Sequence, residues 1–320
     1  MQNVGDPSMG SEPNSVDSEF RNKAVGFDAP TQLPRDEVQR RAWQEANRAW
    51  WERTPMRYDW RESLIAEPGS KAYFAEIDRR FFAAAKGCIR QHTLPFDSVI
   101  PFDQLHDKDV LEIGVGQGTH AQLLSPRCKS FTGIDLTSYA TTMTTQRLRL
   151  FGLSGQIRQM DAEKMDFPDA SFDYIWSWGV IHHSSDTRRV LEEMRRVLRP
   201  GGRSTVMVYY RSWWAFYICG VLRRAFQRSF RNKTHLHAVT QSATDGAIAR
   251  YYKPREWCET TQGLFEIEAL QVCGLKVEVL PLPHGRLKQT LERLLPNGLA
   301  RFMTQKLRMG TFLIANMRRT

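Results

Sequence analysis

The segment VLEIGVGQGTH, residues 110–120, places three glycines at alternate positions directly after an apolar run. A strand that opens through glycines into a helix gathers backbone N–H groups and the positive end of a helix dipole at one point, which suits a nucleotide or a carboxylate. The dehydrogenase fingerprint G-x-G-x-x-G would need glycine at position 119, where the chain has Thr119. The spacing is instead E-x-G-x-G-x-G, formed by Glu112, Gly114, Gly116 and Gly118.

Strands and helices alternate after this turn. Apolar runs predict strands at 109–113, 130–134, 156–160, 172–176 and 203–209. Apolar residues at helical spacing predict helices between these strands. One helix of roughly one dozen residues follows the glycines, and later helices are expected at 141–151 and 186–198. This alternation predicts an α/β fold with a Rossmann-like, doubly wound parallel sheet. Two more strands are expected towards the C-terminus, at 276–280 and, as an antiparallel last strand, at 311–316.

Polar residues follow the predicted strands where a ligand would bind. Asp135 closes the second strand, where a carboxylate can accept both hydroxyls of a ribose. Asp161 and Ala162 close the third, where a carboxylate and a backbone N–H could read an adenine edge. The alternative interpretation is local: each aspartate could cap a helix, and the glycines could serve packing alone. The common position of these residues at the carboxyl ends of neighbouring strands favours a shared ligand.

The region from about 109 to 210 resembles a class I S-adenosylmethionine (SAM)-dependent methyltransferase of the small-molecule type. The resemblance rests on VLEIGVGQGTH, GIDL, MDAEKMDFPDASFDYIWSWGVIHH and EEMRRVLRPGG, in this order. It implies a seven-stranded sheet with its last strand antiparallel, SAM as cofactor, S-adenosylhomocysteine as product and no metal. It also implies a set of cofactor contacts: Glu112, Gly114, Gly116, Gly118, Asp135, Leu136, Asp161, Ala162 and Trp178.

Methyl transfer from a sulfonium requires the two reactants to be positioned in line. An aromatic wall can hold the sulfonium cation without anchoring the neutral product, and the candidates for this wall or for a lid are Trp178, Tyr58 and Trp60. His182 and His183 follow the fourth strand and are the candidate general bases for a hydroxyl or carbon acceptor. An amine or carboxylate acceptor would need no base. Packing and helix capping are the structural alternatives for these aromatic residues and histidines.

The segments outside the shared core are expected to select the acceptor. Trp213 and Tyr251 are the candidates for contact with it, in an aromatic and basic segment. The predicted organisation is a disordered tail (1–34), a helical Trp-rich extension or lid (35–100), the SAM-binding core (101–210), a helical insertion before the sixth strand that covers the substrate (211–262) and the C-terminal part of the sheet (263–320).

The formal net charge of +10 is concentrated in particular segments. Between residues 203 and 250 there are eight basic residues against one acid, and the last twenty residues add five more with no acid. This excess could face RNA, anionic lipid or an acidic substrate, or simply water. We expect a small-molecule acceptor as partner and no nucleic acid. The apolar run within 211–233 is too short to span a bilayer. We expect a buried or substrate-covering helix there, and a weak contact with a membrane surface is the alternative.

The five cysteines are scattered and form no CxxC pair, which argues against a zinc site and a disulfide framework and favours a cytoplasmic setting. The predicted function is methyl transfer from SAM to an O, N or C atom of a small molecule in a biosynthetic pathway. Three alternatives remain open from the sequence: an RNA or tRNA methyltransferase, a non-catalytic SAM-binding regulatory module, and a nicotinamide-dependent dehydrogenase.

Overall fold

A mixed β-sheet forms the centre of the protein in the computed structural model, which describes residues 32–59, 63–226, 235–242, 244, 246–282 and 285–320. Its strands in the described residues are β1 (Asp109–Ile113), β2 (Ser130–Asp135), β3 (Gln156–Gln159), β4 (Phe172–Trp178), β5 (Leu198–Tyr210), β6 (Tyr251–Tyr252), β7 (Phe265–Cys273) and β8 (Phe312–Arg319). Seven of them are arranged in the order β3-β2-β1-β4-β5-β8-β7, and the two-residue β6 pairs with the end of β5.

The pairing confirms the predicted fold class. Strands β1 to β5 run parallel to one another, whereas β8 is antiparallel to both β5 and β7. The reversal lets β8 insert between β5 and β7. The carboxyl ends of β1, β2, β4 and β5 therefore lie along one edge of the sheet, where ligands bind in open α/β folds.

Helices cover the sheet and extend beyond it. The α-helices in the described residues are α1 (Glu37–Arg53), α2 (Lys71–Cys88), α3 (Thr119–Leu124), α4 (Ser138–Leu150), α5 (Thr187–Val197), α6 (Cys219–Phe226), α7 (Leu236–Ser242), α8 (Pro254–Thr261), α9 (Arg286–Leu294) and α10 (Asn297–Arg301). A π-helical segment (Trp213–Ile218) precedes α6, and another (Phe302–Lys306) follows α10. None of the helices in the described ranges is both long and apolar enough to cross a membrane.

Local sequence accounts for where several helices begin. The side chains of Asp36, Ser70, Thr137 and Asp186 accept hydrogen bonds from backbone N–H groups in the first turns of α1, α2, α4 and α5, satisfying donors that have no partner within the helix. Helix α5 then buries the side predicted from its periodicity, with Val190, Leu191 and Met194 fully inaccessible against the sheet. A continuous apolar stripe and a good cap thus specify both the start and the orientation of this helix.

Two predicted elements are wrong. The strand expected at 276–280 is a 3₁₀ turn at Lys276–Glu278, and the strand beside β8 is instead β7. Gly274 and Gly310 approach each other closely just beyond this pair, since a Cβ at Gly274 would lie 2.5 Å from the Cα of Gly310. The helix after the glycine turn is six residues long rather than a dozen, because a 3₁₀ turn containing Pro126 replaces its continuation.

Helix α2 is attached to the core by a buried charge pair and a disulfide. The fully buried guanidinium of Arg147 on α4 forms an ion pair with Asp78 on α2, and Asp78 also accepts a 2.8 Å hydrogen bond from the Thr119 hydroxyl. Cys88, at the end of α2, is paired with Cys273, at the end of β7. The expectation from the sequence that the cysteines are unpaired is therefore wrong for these two, because the spacing of cysteines along the chain does not show which of them meet when 185 residues lie between them.

Replacing Asp78 with asparagine should lower the free energy of unfolding by about 1–3 kcal/mol, because Arg147 would remain buried without its counter-charge. Urea denaturation monitored by circular dichroism measures the effect. The matched control is Asp166→Asn, which removes the partner of Arg158 in an exposed ion pair and should change stability by less than about 0.5 kcal/mol. Equal losses in the two variants would contradict the anchoring role.

Candidate active site

A cavity of about 850 Å³ lies at the carboxyl edge of the sheet. Its volume is within the range of small-molecule sites and towards the upper end of it. The glycine turn and the ends of β2 and β4 line one part, while residues from the end of β5, from α6 and from the segment around 277–282 line another. The cavity therefore has room for a nucleotide-like ligand and for a second, more apolar molecule.

Each of the three positions in the turn is occupied by glycine for a different structural reason. All three have positive φ, a conformation that side chains with a Cβ rarely adopt. A Cβ on Gly114 would lie 2.2 Å from a methyl of Val180, so this position is close-packed. Gly116 lines the cavity, and no protein atom lies within 4 Å of the place where its Cβ would be. Gly118 faces Arg147 and Thr144 instead and does not line the cavity.

Asp135 is held at the end of β2 by donors from the chain. Its Oδ1 accepts hydrogen bonds from the backbone N–H (3.0 Å) and hydroxyl (2.8 Å) of Thr137, and its Oδ2 accepts one from the N–H of Gly116 (3.2 Å). Burial raises the pKa of Asp135, and these three donors oppose that shift. The oriented carboxylate keeps acceptor capacity for a ligand hydroxyl, since two oxygens offer about four lone-pair sites.

Helix α1 covers the cavity with polar side chains. The Gln44 amide donates to Oδ1 of Asp161 (2.8 Å), while its carbonyl oxygen accepts from the N–H of Ser185 (3.1 Å). Further along α1, the carboxylate of Glu52 accepts from the backbone N–H groups of Ser138 (2.9 Å) and Tyr139 (3.0 Å) at the start of α4. Gln44, Asn47 and Trp51 line the cavity from this helix. The N-terminal extension thus forms part of its wall.

Trp178 and Tyr58 stand on the aromatic side of the cavity. Trp178 stacks on Trp176 with ring centroids 5.4 Å apart and packs edge-to-face on Phe96 at 4.9 Å. Tyr58 packs on Phe81 at 5.0 Å, and both Tyr58 and Trp178 line the cavity. These packed rings have little freedom to move, as a wall for a cation requires.

The two histidines occupy different surroundings. His183 lines the cavity, and its Nδ1 lies 2.6 Å from the carbonyl oxygen of Ile248. Burial lowers the pKa of His183 to about 4, so the ring is neutral near pH 7. A neutral ring that donates from Nδ1 to a carbonyl leaves Nε2 with its lone pair, which is the form a general base needs.

His182 does not line the cavity. It is fully buried between His183 and Tyr209, with ring centroids 4.1 and 4.0 Å away, and burial lowers its pKa well below the usual range. Neither ring nitrogen has a hydrogen-bond partner among the described residues. The position suits packing beneath the site better than the predicted role as a base.

An aromatic cluster continues the cavity beyond His183. Tyr209 stacks on Tyr251 at 5.3 Å and on Phe312 at 6.1 Å, and Phe216 packs edge-to-face on Tyr251 at 5.2 Å. All four rings line the cavity. Cavity walls built from packed aromatic rings favour a ligand with substantial apolar surface.

Sequence comparison identifies the domain that holds this site. Residues 111–206 match a family described as a methyltransferase domain. The match spans 96 of the 320 residues, and the sheet order and the glycine turn agree with it. Residues 111–206 form a class I SAM-dependent methyltransferase domain.

Several curated methyltransferases are similar to this domain. A phosphatidylethanolamine N-methyltransferase from Cereibacter sphaeroides is 35% identical over 103 residues, which are 32% of this chain and 50% of that protein. A phthiotriol/phenolphthiotriol dimycocerosates methyltransferase from Mycobacterium tuberculosis is 39% identical over 100 residues, or 31% of this chain and 36% of that protein. A solved SAM-dependent methyltransferase from Methanosarcina mazei has a TM-score of 0.48 and 19% identity, with 72% of this chain and 99% of that chain covered. The chain spans half or less of the length of the two curated relatives.

The cavity has several features that fit SAM. The bare backbone at Gly116 allows a ligand to approach where a side chain would block it. Asp135 can accept a ribose hydroxyl, and Asp161 and Ala162 line the cavity beside it for the adenine. Glu112 lies beneath the turn and behind the cavity wall, where burial raises the pKa of its carboxyl, so the predicted cofactor contact of Glu112 is not brought into the cavity.

The predicted site residues are therefore only partly brought together. The cavity is lined by Gly114, Gly116, Asp135, Leu136, Asp161, Ala162, Trp178, His183, Tyr58 and Tyr251. Glu112, Gly118 and His182 lie behind its wall. Trp213 is half exposed on the outer surface, where its Nε1 donates to the carbonyl of Leu307 (2.8 Å), so it does not cover the cavity as expected. Trp60 and most of the predicted 1–34 tail lie outside the described residues.

Sequence reasoning missed the cavity residues that come from distant segments. Gln44 and Trp51 come from α1, Tyr209 and Phe312 from adjacent strand ends, and Phe216 from the segment before α6. The richness of α1 in tryptophan was the one usable signal. In the described residues no cluster of three or more metal-ligating side chains is present, and the expectation of a metal-independent enzyme stays a prediction.

Replacing Gly116 with alanine should weaken SAM binding about tenfold or more, because the new methyl group would enter the cavity where the ligand approaches the backbone. Isothermal titration with SAM measures this change. Gly201→Ala is the matched control: Gly201 also has positive φ and open space around it, so the strain is similar, but it does not line the cavity. Equal weakening by both variants would count against a close approach at Gly116.

Proposed function

We propose that the protein transfers the methyl group of SAM to a hydroxyl oxygen of an apolar small molecule in a biosynthetic pathway. The observation that carries this proposal is the position of His183, a neutral imidazole in the cavity wall that also contacts Tyr209 of the aromatic cluster at 5.4 Å. Bound SAM would supply an activated methyl group on a sulfonium. The chain would supply orientation, exclusion of water and a proton acceptor.

His183 would act at the acceptor hydroxyl. As the methyl–oxygen bond forms and the methyl–sulfur bond breaks, the hydroxyl proton passes to Nε2 of His183, and the neutral thioether leaves. The bond from Nδ1 to the carbonyl of Ile248 keeps the ring in the required tautomer and orientation. Arg250 supports this arrangement, because its backbone N–H donates to the carbonyl of His182 (3.0 Å) and its guanidinium donates to the carbonyl of Ser185 (2.6 Å).

Trp178 and Tyr58 would face the sulfonium. Their rings provide a cation–π surface that attracts the charged cofactor more strongly than its neutral product. The contacts of Gln44 and Glu52 from α1 close the cavity over the cofactor end, and they reduce access of water to the transferred methyl.

The names of several relatives support a small-molecule acceptor. A fatty-acid O-methyltransferase from Mycolicibacterium smegmatis is 37% identical over 97 residues, which are 30% of this chain and 35% of that protein. A 27-O-demethylrifamycin SV methyltransferase and the dimycocerosates methyltransferase are further relatives. The similarity covers the cofactor domain, so the acceptor proposal depends mainly on the aromatic cluster and His183.

Transfer of a labelled methyl group tests the proposal. Purified protein and SAM labelled on the methyl group are offered a host extract separated into small-molecule, lipid, RNA and protein fractions. We expect label in an organic-extractable compound as a base-stable methyl ether. A base-labile methyl ester would indicate a carboxylate acceptor, which needs no base, and would contradict the role of His183. Label in RNA would favour the nucleic-acid alternative. If SAM binds but no fraction acquires label, the result would favour the non-catalytic module. A cytoplasmic location stays a prediction that cell fractionation can test.

A further inference from the structure

Exposed large apolar side chains are concentrated in two segments of the described chain. Five lie between 213 and 226 and six between 287 and 307, whereas three are found elsewhere, at Leu33, Val38 and Ile65. Single exposed apolar residues are common on proteins, but a concentration of this kind marks an interaction surface. We call residues 213–226 and 286–308 together the docking face.

The first segment has an apolar side that packs and another that does not. Ala215, Phe216, Cys219 and Gly220 face inward, and Gly220 packs so closely on α7 that an added Cβ would lie 2.8 Å from Leu236. Five other apolar side chains of the segment are exposed, and they are Trp213, Tyr217, Ile218, Val221 and Phe226. The segment is therefore apolar on its solvent side as well, which a helix at an ordinary aqueous surface is not.

Helix α9 has the reverse of the usual distribution. Two of its four charged side chains, Lys288 and Glu292, are each only 8% exposed, while Leu287 and Leu294 are 67% and 72% exposed. Leu291 lies between these leucines at helical spacing and is also exposed. A helix that buries charge and exposes leucine would be unfavourable in water alone, and it indicates that another apolar phase covers the leucines.

The charge of the docking face selects the kind of partner. Apart from the buried Lys288 and Glu292, it contains seven basic residues (Arg223, Arg224, Arg286, Arg293, Arg301, Lys306 and Arg308) and no acid. A second copy of the chain that presented the same surface across a two-fold axis would bring like charges together. A bilayer with anionic headgroups offers both an apolar interior for the leucines and counter-charges for the arginines.

Both segments border the same end of the cavity. Leu222, Arg223 and Phe226 line it from α6, and Leu282 and Lys288 line it from the start of the α9 region. The two segments are also tied together directly, because Nε1 of Trp213 donates to the carbonyl of Leu307. A membrane resting on this surface would therefore meet the apolar end of the cavity rather than the cofactor end.

We propose that the docking face binds the surface of an anionic lipid bilayer. Trp213 and the outward leucines enter the headgroup–acyl boundary, and the surrounding arginines pair with lipid phosphates. If the proposed function holds, the acceptor reaches the cavity from the bilayer and belongs to the amphiphiles that dissolve in it. Binding to lipid does not depend on that reaction and can be measured without it.

Vesicle sedimentation tests the docking face with matched variants. Vesicles of phosphatidylcholine alone are compared with vesicles that also contain phosphatidylglycerol. The wild type should bind the anionic vesicles and lose this binding at high salt. The double variants Leu287→Ser/Leu294→Ser and Ile218→Ser/Val221→Ser should each bind about tenfold more weakly or worse, because each removes several inserted methylene groups. Val38→Ser/Ile65→Ser alters exposed residues elsewhere and should bind as the wild type.

Two further measurements keep the outcome decisive. Tryptophan quenching by brominated lipids should be observed in the wild type and fall markedly in Trp213→Phe, which reports insertion without relying on the double variants. The circular dichroism spectrum and the affinity for SAM should be unchanged in all variants. A failure of the proposed methyl transfer can therefore be distinguished from a failure of the proposed membrane binding. The proposal is overturned if the wild type binds neither vesicle, binds both equally, or forms a dimer that the double variants dissociate.

Discussion

Replacing His183 with asparagine should lower kcat by about 10²- to 10⁴-fold and leave the dissociation constant of SAM unchanged. The asparagine amide can still donate to the carbonyl of Ile248, as Nδ1 does now, but it has no group that replaces the basic Nε2. The variant thus separates proton acceptance from positioning. Initial rates with the acceptor identified by methyl labelling, together with SAM titration, measure the two effects.

The plot of reaction rate against pH should contain a rising limb that is caused by the titration of His183. Burial lowers its pKa to about 4, so the ring is a neutral base above that pH and becomes protonated below it. The wild-type rate should therefore rise with pH through about 4 and level off, and the residual activity of the asparagine variant should lack this limb. A variant with wild-type kcat, or one with an unchanged limb, would exclude His183 as the base.

Replacing Asp135 with asparagine should weaken SAM binding by about 10- to 100-fold, the range expected when a charge-assisted hydrogen bond to a ligand is lost. An asparagine is the same size as the aspartate, but it carries no charge, and one of its atoms becomes a donor that faces the N–H of Gly116 or the Thr137 donors. Isothermal titration with SAM and S-adenosylhomocysteine should detect similar losses for both ligands, since their ribose groups are the same.

Asp166→Asn controls for the loss of one negative charge. The Asp166 carboxylate is 91% exposed and does not line the cavity. We expect its effect on SAM affinity to be within about twofold, since charges separated by solvent are screened. Unchanged affinity in Asp135→Asn would mean that the end of β2 does not hold the ribose.

Local rules predicted the part of the site that the parallel sheet assembles. A glycine turn and carboxylates at successive strand ends must meet at one edge once the strands are parallel, so Gly116, Asp135 and Asp161 could be placed from the sequence. Contacts between distant segments could not be placed in this way. Gln44 reaches Asp161 across 117 residues, and nothing in the local pattern of α1 specifies which side chain lies over the cavity.

The errors occurred where a local pattern had two interpretations. The alternation at 276–280 is typical of an edge strand, but 265–273 alternates as well, and the pairing with β8 decides between them. Trp213 was expected in the cavity because it is aromatic and follows β5. The structure turns Phe216 inward and Trp213 outward, a choice that depends on how the π-helical segment packs against Tyr251 and Leu307.

Titration of the purified wild type with SAM and, separately, with NAD tests the central claim most directly. The account predicts one SAM site per chain, competition by S-adenosylhomocysteine and no heat of binding with NAD. Binding of NAD at this site, or the absence of any SAM binding by a folded protein, would contradict the assignment of the glycine turn and Asp135 to SAM.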